Sequence, residues 1–267
     1  MKRLVSLSII SLLIVLLPIS CTQLDQEPDH KHHANNDYLL FATLFQQQAA
    51  ENAALTHQAF NTAKIMLDDA LRSARLTKRL AVVVDIDETV LDNSPFEAKT
   101  ILENTEYPTF WKEWCDDVSA EPIPGALDFL NYAQSVGADV FYITNRKEEF
   151  REVTLQNLKM HDFPFADNEH LLMKTTTSNK EPRRKQVEKT HHIVLLIGDN
   201  LGDFLNDFDV DDNQYRFEIV DSLKHEFGSR FIVLPNAMYG TWANNLTSGD
   251  MTKEEKIEMM RKHLKSF

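Results

Sequence analysis

Hydrophobic and polar positions along this 267-residue chain fall into two alternating rhythms. Short apolar runs of strand length recur at Leu80 to Val84, Val140 to Ile143, Ile193 to Ile197 and Phe231 to Leu234. Uninterrupted runs of small, β-branched and aromatic residues fit strands buried on both faces, as in a parallel sheet. Between them, Gly125 to Gly137 reads as an amphipathic helix closed by glycine, and Lys147 to His161 as another. Strands alternating with helices predict an α/β fold, a doubly wound and mostly parallel sheet. Residues 77–250 hold this core. Ahead of it, residues 37–76 carry Leu40, Leu44, Phe60, Ala63, Leu67 and Leu71 at helical spacing with no proline or glycine, so a long helix, broken at most once, is expected. Residues 251–267 read as a charged terminal helix.

The chemistry gathers where these strands end. Leu80 to Val84 runs into Asp85, Ile86, Asp87, Glu88 and Thr89, and Ile193 to Ile197 runs into Gly198, Asp199, Asn200, Leu201, Gly202 and Asp203. The strand between them ends in Thr144, Asn145 and Arg146, and a loop before Pro182 carries Lys180. The carboxyl edge of an open α/β sheet is where ligands bind. Asp85 and Asp87 alone leave two readings open: a metal-assisted site that relieves their repulsion, or an acidic strand-to-helix turn with Asp85 as a helix cap. Set side by side, the strands bring four carboxylates, a hydroxyl and an ammonium to one crevice, which suits a divalent cation holding a phosphoryl group.

Three segments carry a resemblance: Asp85-Ile86-Asp87-Glu88-Thr89 through Pro95, Tyr142-Ile143-Thr144-Asn145-Arg146, and Gly198-Asp199-Asn200-Leu201-Gly202-Asp203-Phe204. They resemble the signatures of the haloacid dehalogenase (HAD) superfamily, and more narrowly its bacterial class C acid phosphatases and 5′-nucleotidases, the lipoprotein e(P4) group. Pro122 to Ala126 and Leu234 to Gly240 are similar to that group too. The likeness spans about residues 37–246. It implies a HAD-like Rossmannoid core with a smaller helical cap inserted at about 92–124, and a metal-dependent phosphomonoesterase that works through a phosphoaspartate. By the same resemblance Asp85 is the nucleophile and Asp87 the acid and base. Mg²⁺ is held by Asp85, Asp199, Asp203 and the Asp87 main-chain carbonyl, and Thr144, Asn145 and Lys180 hold the phosphate. Trp111 and Tyr239 are expected as an aromatic wall for a small phosphomonoester such as a 5′-nucleotide, and a homodimer is implied.

Residues 1–20 read as a leader, with Lys2 and Arg3 before an apolar stretch too short for a comfortable permanent span. Its end, Ser20 and Cys21, resembles a bacterial lipoprotein cleavage site, although Pro18 stands where leucine is usual. Lipidated Cys21 would hold the protein on a membrane surface of the cell envelope, with simple secretion to the periplasm as the alternative. Residues 21–36 read as a flexible tether.

A formal charge of −13 argues against a nucleic acid polymer as partner. An anionic substrate must then be drawn in locally, by Arg146, Lys180, Arg183, Arg184 and Lys185, unless the last three are only a solvated helix face. The lone remaining thiol, Cys115, reads as a buried small hydrophobe beside Trp111 and Trp114. Three other functions compete with this reading. Dehalogenation would make Asp87 superfluous, because a halide needs no proton. A phosphotransferase of the same fold would differ only in its acceptor, and a noncatalytic surface lipoprotein would not need Asp85.

Overall fold

A computed structural model describes residues 36–73, 78–247 and 249–267. The leader, Cys21 and most of the expected tether lie outside these residues. Among the described residues no helix is long and apolar enough to cross a membrane.

Among the described residues five parallel strands form the sheet: β1 (Arg79–Val84), β2 (Asp139–Lys147), β3 (Leu171–Lys174), β4 (His191–Gly198) and β5 (Phe231–Val233), in the order β3-β2-β1-β4-β5. β1 is central, and its alternation explains the unbroken apolar run. Leu80, Val82 and Val84 enter one hydrophobic cluster and Ala81 and Val83 the other, so both faces are covered. β2 repeats this, with Val140 and Tyr142 on the first face and Phe141 and Ile143 on the second.

The expected N-terminal helix is two: α1 (Asp37–Gln48) and α2 (Ala50–Ser73), parted at Ala49, whose backbone is extended. Buried Asn52 donates its amide to the Gln46 carbonyl at 3.3 Å, satisfying a group that the end of α1 leaves open. Phe60, Ala63 and Leu67 of α2, at helical spacing, bury against the first face together with Phe129 and Leu130 of α5 (Ala126–Ser135) and Leu155 and Leu158 of α6 (Arg151–Met160). Val187 of α7 (Glu181–Glu188) covers the other face with Phe204. Between β1 and β2, the stretch expected to form the cap holds α3 (Ser94–Leu102) and α4 (Trp111–Asp117). After β4 come α8 (Asn213–Ser222), α9 (Thr241–Asn244) and α10 (Lys253–His263). β3 and α8 have no counterpart in the elements expected from the sequence.

At the amino-terminal end of the sheet, buried Asp139 opens β2 and accepts a hydrogen bond from Arg79 of β1 at 2.5 Å. Its other carboxylate oxygen lies 2.8 Å from Nε2 of His191, the first residue of β4. The starts of the three central strands are thus tied through one carboxylate.

Candidate active site

At the opposite end of the sheet, the amide of Asp85 donates to the Ile197 carbonyl at 2.9 Å, continuing the β1–β4 ladder one residue beyond the strand. That bond fixes the Asp85 backbone. Its carboxylate then stands with those of Asp199 and Asp203 in a group whose ligand atoms all lie within 4.8 Å of one another. Buried Lys180, at the start of α7, bridges two of them, 2.6 Å from Asp203 and in contact with Asp85.

Close approach at Gly198 makes this geometry possible. A Cβ there would lie 2.6 Å from Asp203 Cβ and 2.7 Å from its Cγ, so only glycine lets Asp203 fold back over the end of its own strand. Asp203 Oδ2 accepts the Asn200 amide at 3.0 Å, and the Asn200 side chain in turn accepts from Gly202, a reciprocal cap on a short 3₁₀ turn. Asp199 is held by Asn236, which donates to Oδ2 at 2.8 Å, and by the Thr89 hydroxyl, which donates to Oδ1 at 3.3 Å.

Asp87 stands apart from that trio and has its own clamp. Asn93 Nδ2 donates to Asp87 Oδ1 at 2.8 Å and Arg146 Nε to the same oxygen at 2.9 Å. The Asn93 side-chain oxygen accepts from Trp114 at 2.8 Å and from Arg146 at 3.2 Å. Every one of these donors to Asp87 engages Oδ1, which leaves Oδ2 available for a ligand's proton. Asp85, Asp87, Asp199 and Asp203 all line one cavity of about 1100 Å³, together with Asn145, Lys180, Trp111 and Tyr239.

Burial dominates the electrostatics. It lifts the Asp85 carboxyl well above the usual range; Lys180 opposes the shift, and the Asp203, Asp199 and Asp87 carboxylates add to it. Asp199 is pushed to about 7 by burial and then by Asp203, against the Asn236 hydrogen bond. Burial works against the Lys180 ammonium, but Asp203 and Asp85 outweigh it and raise its pKa. Carboxylates packed this tightly, with two of them held above their ordinary range, form a hard oxygen cluster that fits a divalent cation.

A sequence profile described as HAD superfamily, subfamily IIIB (acid phosphatase), matches residues 20–242. The chain belongs to this family. Among solved structures, the Class C acid phosphatase from Bacillus anthracis is 40% identical with a TM-score of 0.83, over 87% of this chain and 98% of that one. The Class B acid phosphatase of Aggregatibacter actinomycetemcomitans is 30% identical over 62% of this chain and 79% of its own length. Acid phosphatase 1 of Solanum lycopersicum is 29% identical over 46% of this chain. The chain spans 58% of the Stem 31 kDa glycoprotein of Glycine max and 51% of the tomato protein, little more than half the length of these curated relatives.

Within this subfamily IIIB chain, several expected site residues are also engaged by the protein itself. Thr144 is fully buried, and its hydroxyl accepts the Arg146 amide at 3.0 Å. Of the five basic residues expected to draw in an anion, Arg146 and Lys180 line the cavity. Arg146 is committed to Asp87. Arg183 donates to the Thr144 carbonyl and to Asn145 Oδ1, the latter at 2.8 Å. Arg184 is buried, donating to the Asp203 carbonyl at 2.9 Å, and Lys185 is exposed and paired with Glu181. Arg183 and Arg184 brace α7 against the end of β2 and the turn after β4. Asp92, just ahead of the Asn93 cap position of α3, accepts the Ser94 amide at 2.9 Å. Cys115 is buried, and its thiol is pushed up to about 11, chiefly by burial.

Sequence reasoning missed Asn93 and Asn236 as holders of the acids, and Trp114 as the donor that orients Asn93. Glu88 is also more than a neighbour of the site. It takes a left-handed backbone (φ 53°) in the turn after β1, and its buried carboxylate accepts the Asn93 amide at 2.9 Å. Burial, then Asp87 and Asp199, raise its pKa well above the ordinary glutamate value.

Proposed function

We propose that this chain is a metal-dependent phosphomonoesterase acting through a phosphoaspartate. The observation that carries the reading is the Asp85 carboxylate, fixed by the β1–β4 ladder at the sheet edge and gathered with Asp199, Asp203 and Lys180. A relative 39% identical, the Class C acid phosphatase from Bacillus anthracis, has a crystal structure with tungstate bound, and tungstate is a tetrahedral oxyanion like phosphate.

Asp85 attacks phosphorus in line, forming a new O–P bond as the ester P–O bond breaks. Asp87, anchored through Oδ1, gives its proton to the departing oxygen from Oδ2. In the second half Asp87 takes a proton from water, the water oxygen bonds to phosphorus, and the acyl phosphate releases Asp85 and inorganic phosphate. Lys180 neutralises charge on the phosphoryl oxygens, Thr144 keeps its hydroxyl hydrogen to donate, and Asn145 keeps its amide NH₂. A divalent cation, Mg²⁺ by preference, would be held by Asp85, Asp199, Asp203 and the Asp87 carbonyl. Its chemistry there is to offset the charge of the phosphate and of the nucleophile.

The substrate is a small phosphomonoester, and 5′-nucleotides suit the cavity best. Trp111 and Tyr239 line it and offer faces for a flat group. Cys21 is the proposed lipid attachment point, placing the enzyme on a membrane of the bacterial cell envelope, where it works as a homodimer. The test is hydrolysis of p-nitrophenyl phosphate. Asp85→Asn and Asp87→Asn should each lose at least about a thousandfold in kcat, and chelator should silence the wild type until Mg²⁺ is restored. Undiminished turnover by Asp85→Asn would end the covalent reading.

A further inference from the structure

Asp85 and Asp87 are held from different parts of the molecule. The sheet fixes Asp85, whose amide bonds to the Ile197 carbonyl of β4 and whose carboxylate meets Lys180 at the start of α7. Asp87 depends instead on Asn93 and Arg146, and α4 holds both of them. Trp114 Nε1 donates to Asn93 Oδ1 at 2.8 Å, and the Trp111 ring lies against the Arg146 guanidinium, 5.4 Å from its carbon to the ring centroid. The two tryptophans stand three residues apart on α4 and so are neighbours on its surface. Trp114 is not among the residues that line the cavity. What it contributes to turnover must therefore pass through Asn93.

We infer that Trp114 is a positioning residue for the departure of the leaving group, through which α4 sets how well the site cleaves esters whose departing oxygen must be protonated. The Asn93 amide has two unlike ends. Its NH₂ faces carboxylates, Asp87 Oδ1 at 2.8 Å and Glu88 Oε2 at 3.4 Å, while its oxygen accepts from Trp114 at 2.8 Å and from Arg146 Nη2 at 3.2 Å. An indole N–H and a guanidinium can only donate, so both can meet only that oxygen. Together they keep the amide from turning its oxygen on Asp87. Asn93 and Arg146 are both buried, so bulk water offers no replacement donor when the indole N–H is lost.

This assignment rests on the phosphatase reading. As the ester P–O bond breaks, its electron pair stays on the leaving oxygen, and the proton on Asp87 Oδ2 moves to that oxygen to give the alcohol. An alkyl oxygen is a strong base and depends on that proton, whereas a nitrophenolate spreads its charge over the ring and depends on it less. Once Asn93 is free to turn, Asp87 loses a donor at Oδ1 and with it the aim of Oδ2, while Asp85, Asp199, Asp203 and Lys180 keep their own contacts. The loss therefore falls more heavily on alkyl esters than on aryl esters.

The experiment measures kcat/KM for n-propyl phosphate and for p-nitrophenyl phosphate with the Mg²⁺-loaded protein, because kcat/KM covers the steps up to departure of the leaving group. Trp114→Phe keeps a ring in place and removes the N–H. It should lower the alkyl-to-aryl ratio of kcat/KM about tenfold relative to wild type. Damage to the fold or to the metal site would lower both values by one factor and leave the ratio alone. Placing 3-benzothienylalanine at position 114, with sulfur where the N–H was, keeps the shape of the side chain and should reproduce the fall even where phenylalanine packs badly. A ratio unchanged in the sulfur analogue overturns the assignment. Failure of the wild type to hydrolyse p-nitrophenyl phosphate would instead strike the phosphatase reading, so the two failures are told apart.

Discussion

Replacing Asp199 by asparagine should make the metal-free protein more stable while abolishing hydrolysis. Burial and Asp203 push the Asp199 carboxyl from 3.8 to about 7 in the folded chain. Its folded pKa lies above its unfolded one, so the contribution to stability is full below pH 3.8 and is lost as pH rises through 7. Three pKa units correspond to about 4 kcal/mol withheld from the folded state at pH 8. Asparagine has no such penalty. It does turn an NH₂ toward the Asn236 amide that now donates to Oδ2, which costs about 1 kcal/mol. The net gain is about 3 kcal/mol at pH 8, or roughly 6–12 °C in Tm for a domain of this size, and it vanishes near pH 4. Thermal melts of wild type and variant in chelator at both pH values read it directly. Mg²⁺ should then raise the wild-type Tm and leave the variant unmoved. A variant less stable than wild type at pH 8 in chelator would refute the claim that these carboxylates are held together at a cost.

Asn93→Ala should lower kcat for p-nitrophenyl phosphate about ten- to a hundredfold with little change in KM, because Asp87 loses one of its anchors while the phosphate-binding groups stay; an unchanged kcat would remove Asn93 from the clamp. Gly198→Ala should cost both activity and Mg²⁺ response, since its Cβ would displace Asp203; a crystal structure with Asp203 unmoved would contradict this.

The sheet and the acids were legible because each is written in a few adjacent residues. Leu80 to Val84 and Ile193 to Ile197 announce buried strands, and the acids follow within six residues. β3 was not legible: Leu171 to Lys174 is only four residues and carries a lysine, and its strand character comes from pairing with β2. α8 begins at an Asp212 cap, but its apolar residues Tyr215, Phe217 and Ile219 alternate along the chain, so no helical stripe marks it. Asn93 and Asn236 lie inside the segments that carry the family resemblance, but an amide's function is set by whichever acid the fold brings to it. Arg183 and Arg184 show the converse. A basic run after a proline looks like a charged surface, yet carbonyls at the ends of β2 and of the turn after β4 claim both side chains. Tertiary demand for donors overrode the local pattern.

The Asp139 knot at the far end of the sheet gives the molecule two poles with separate duties. One pole holds charges apart from their preferred state in order to do chemistry, and the other closes β1, β2 and β4 with a satisfied carboxylate. Rigidity and turnover can therefore drift independently during adaptation to heat or cold, because substitutions around Arg79 and His191 reset the first without touching the second.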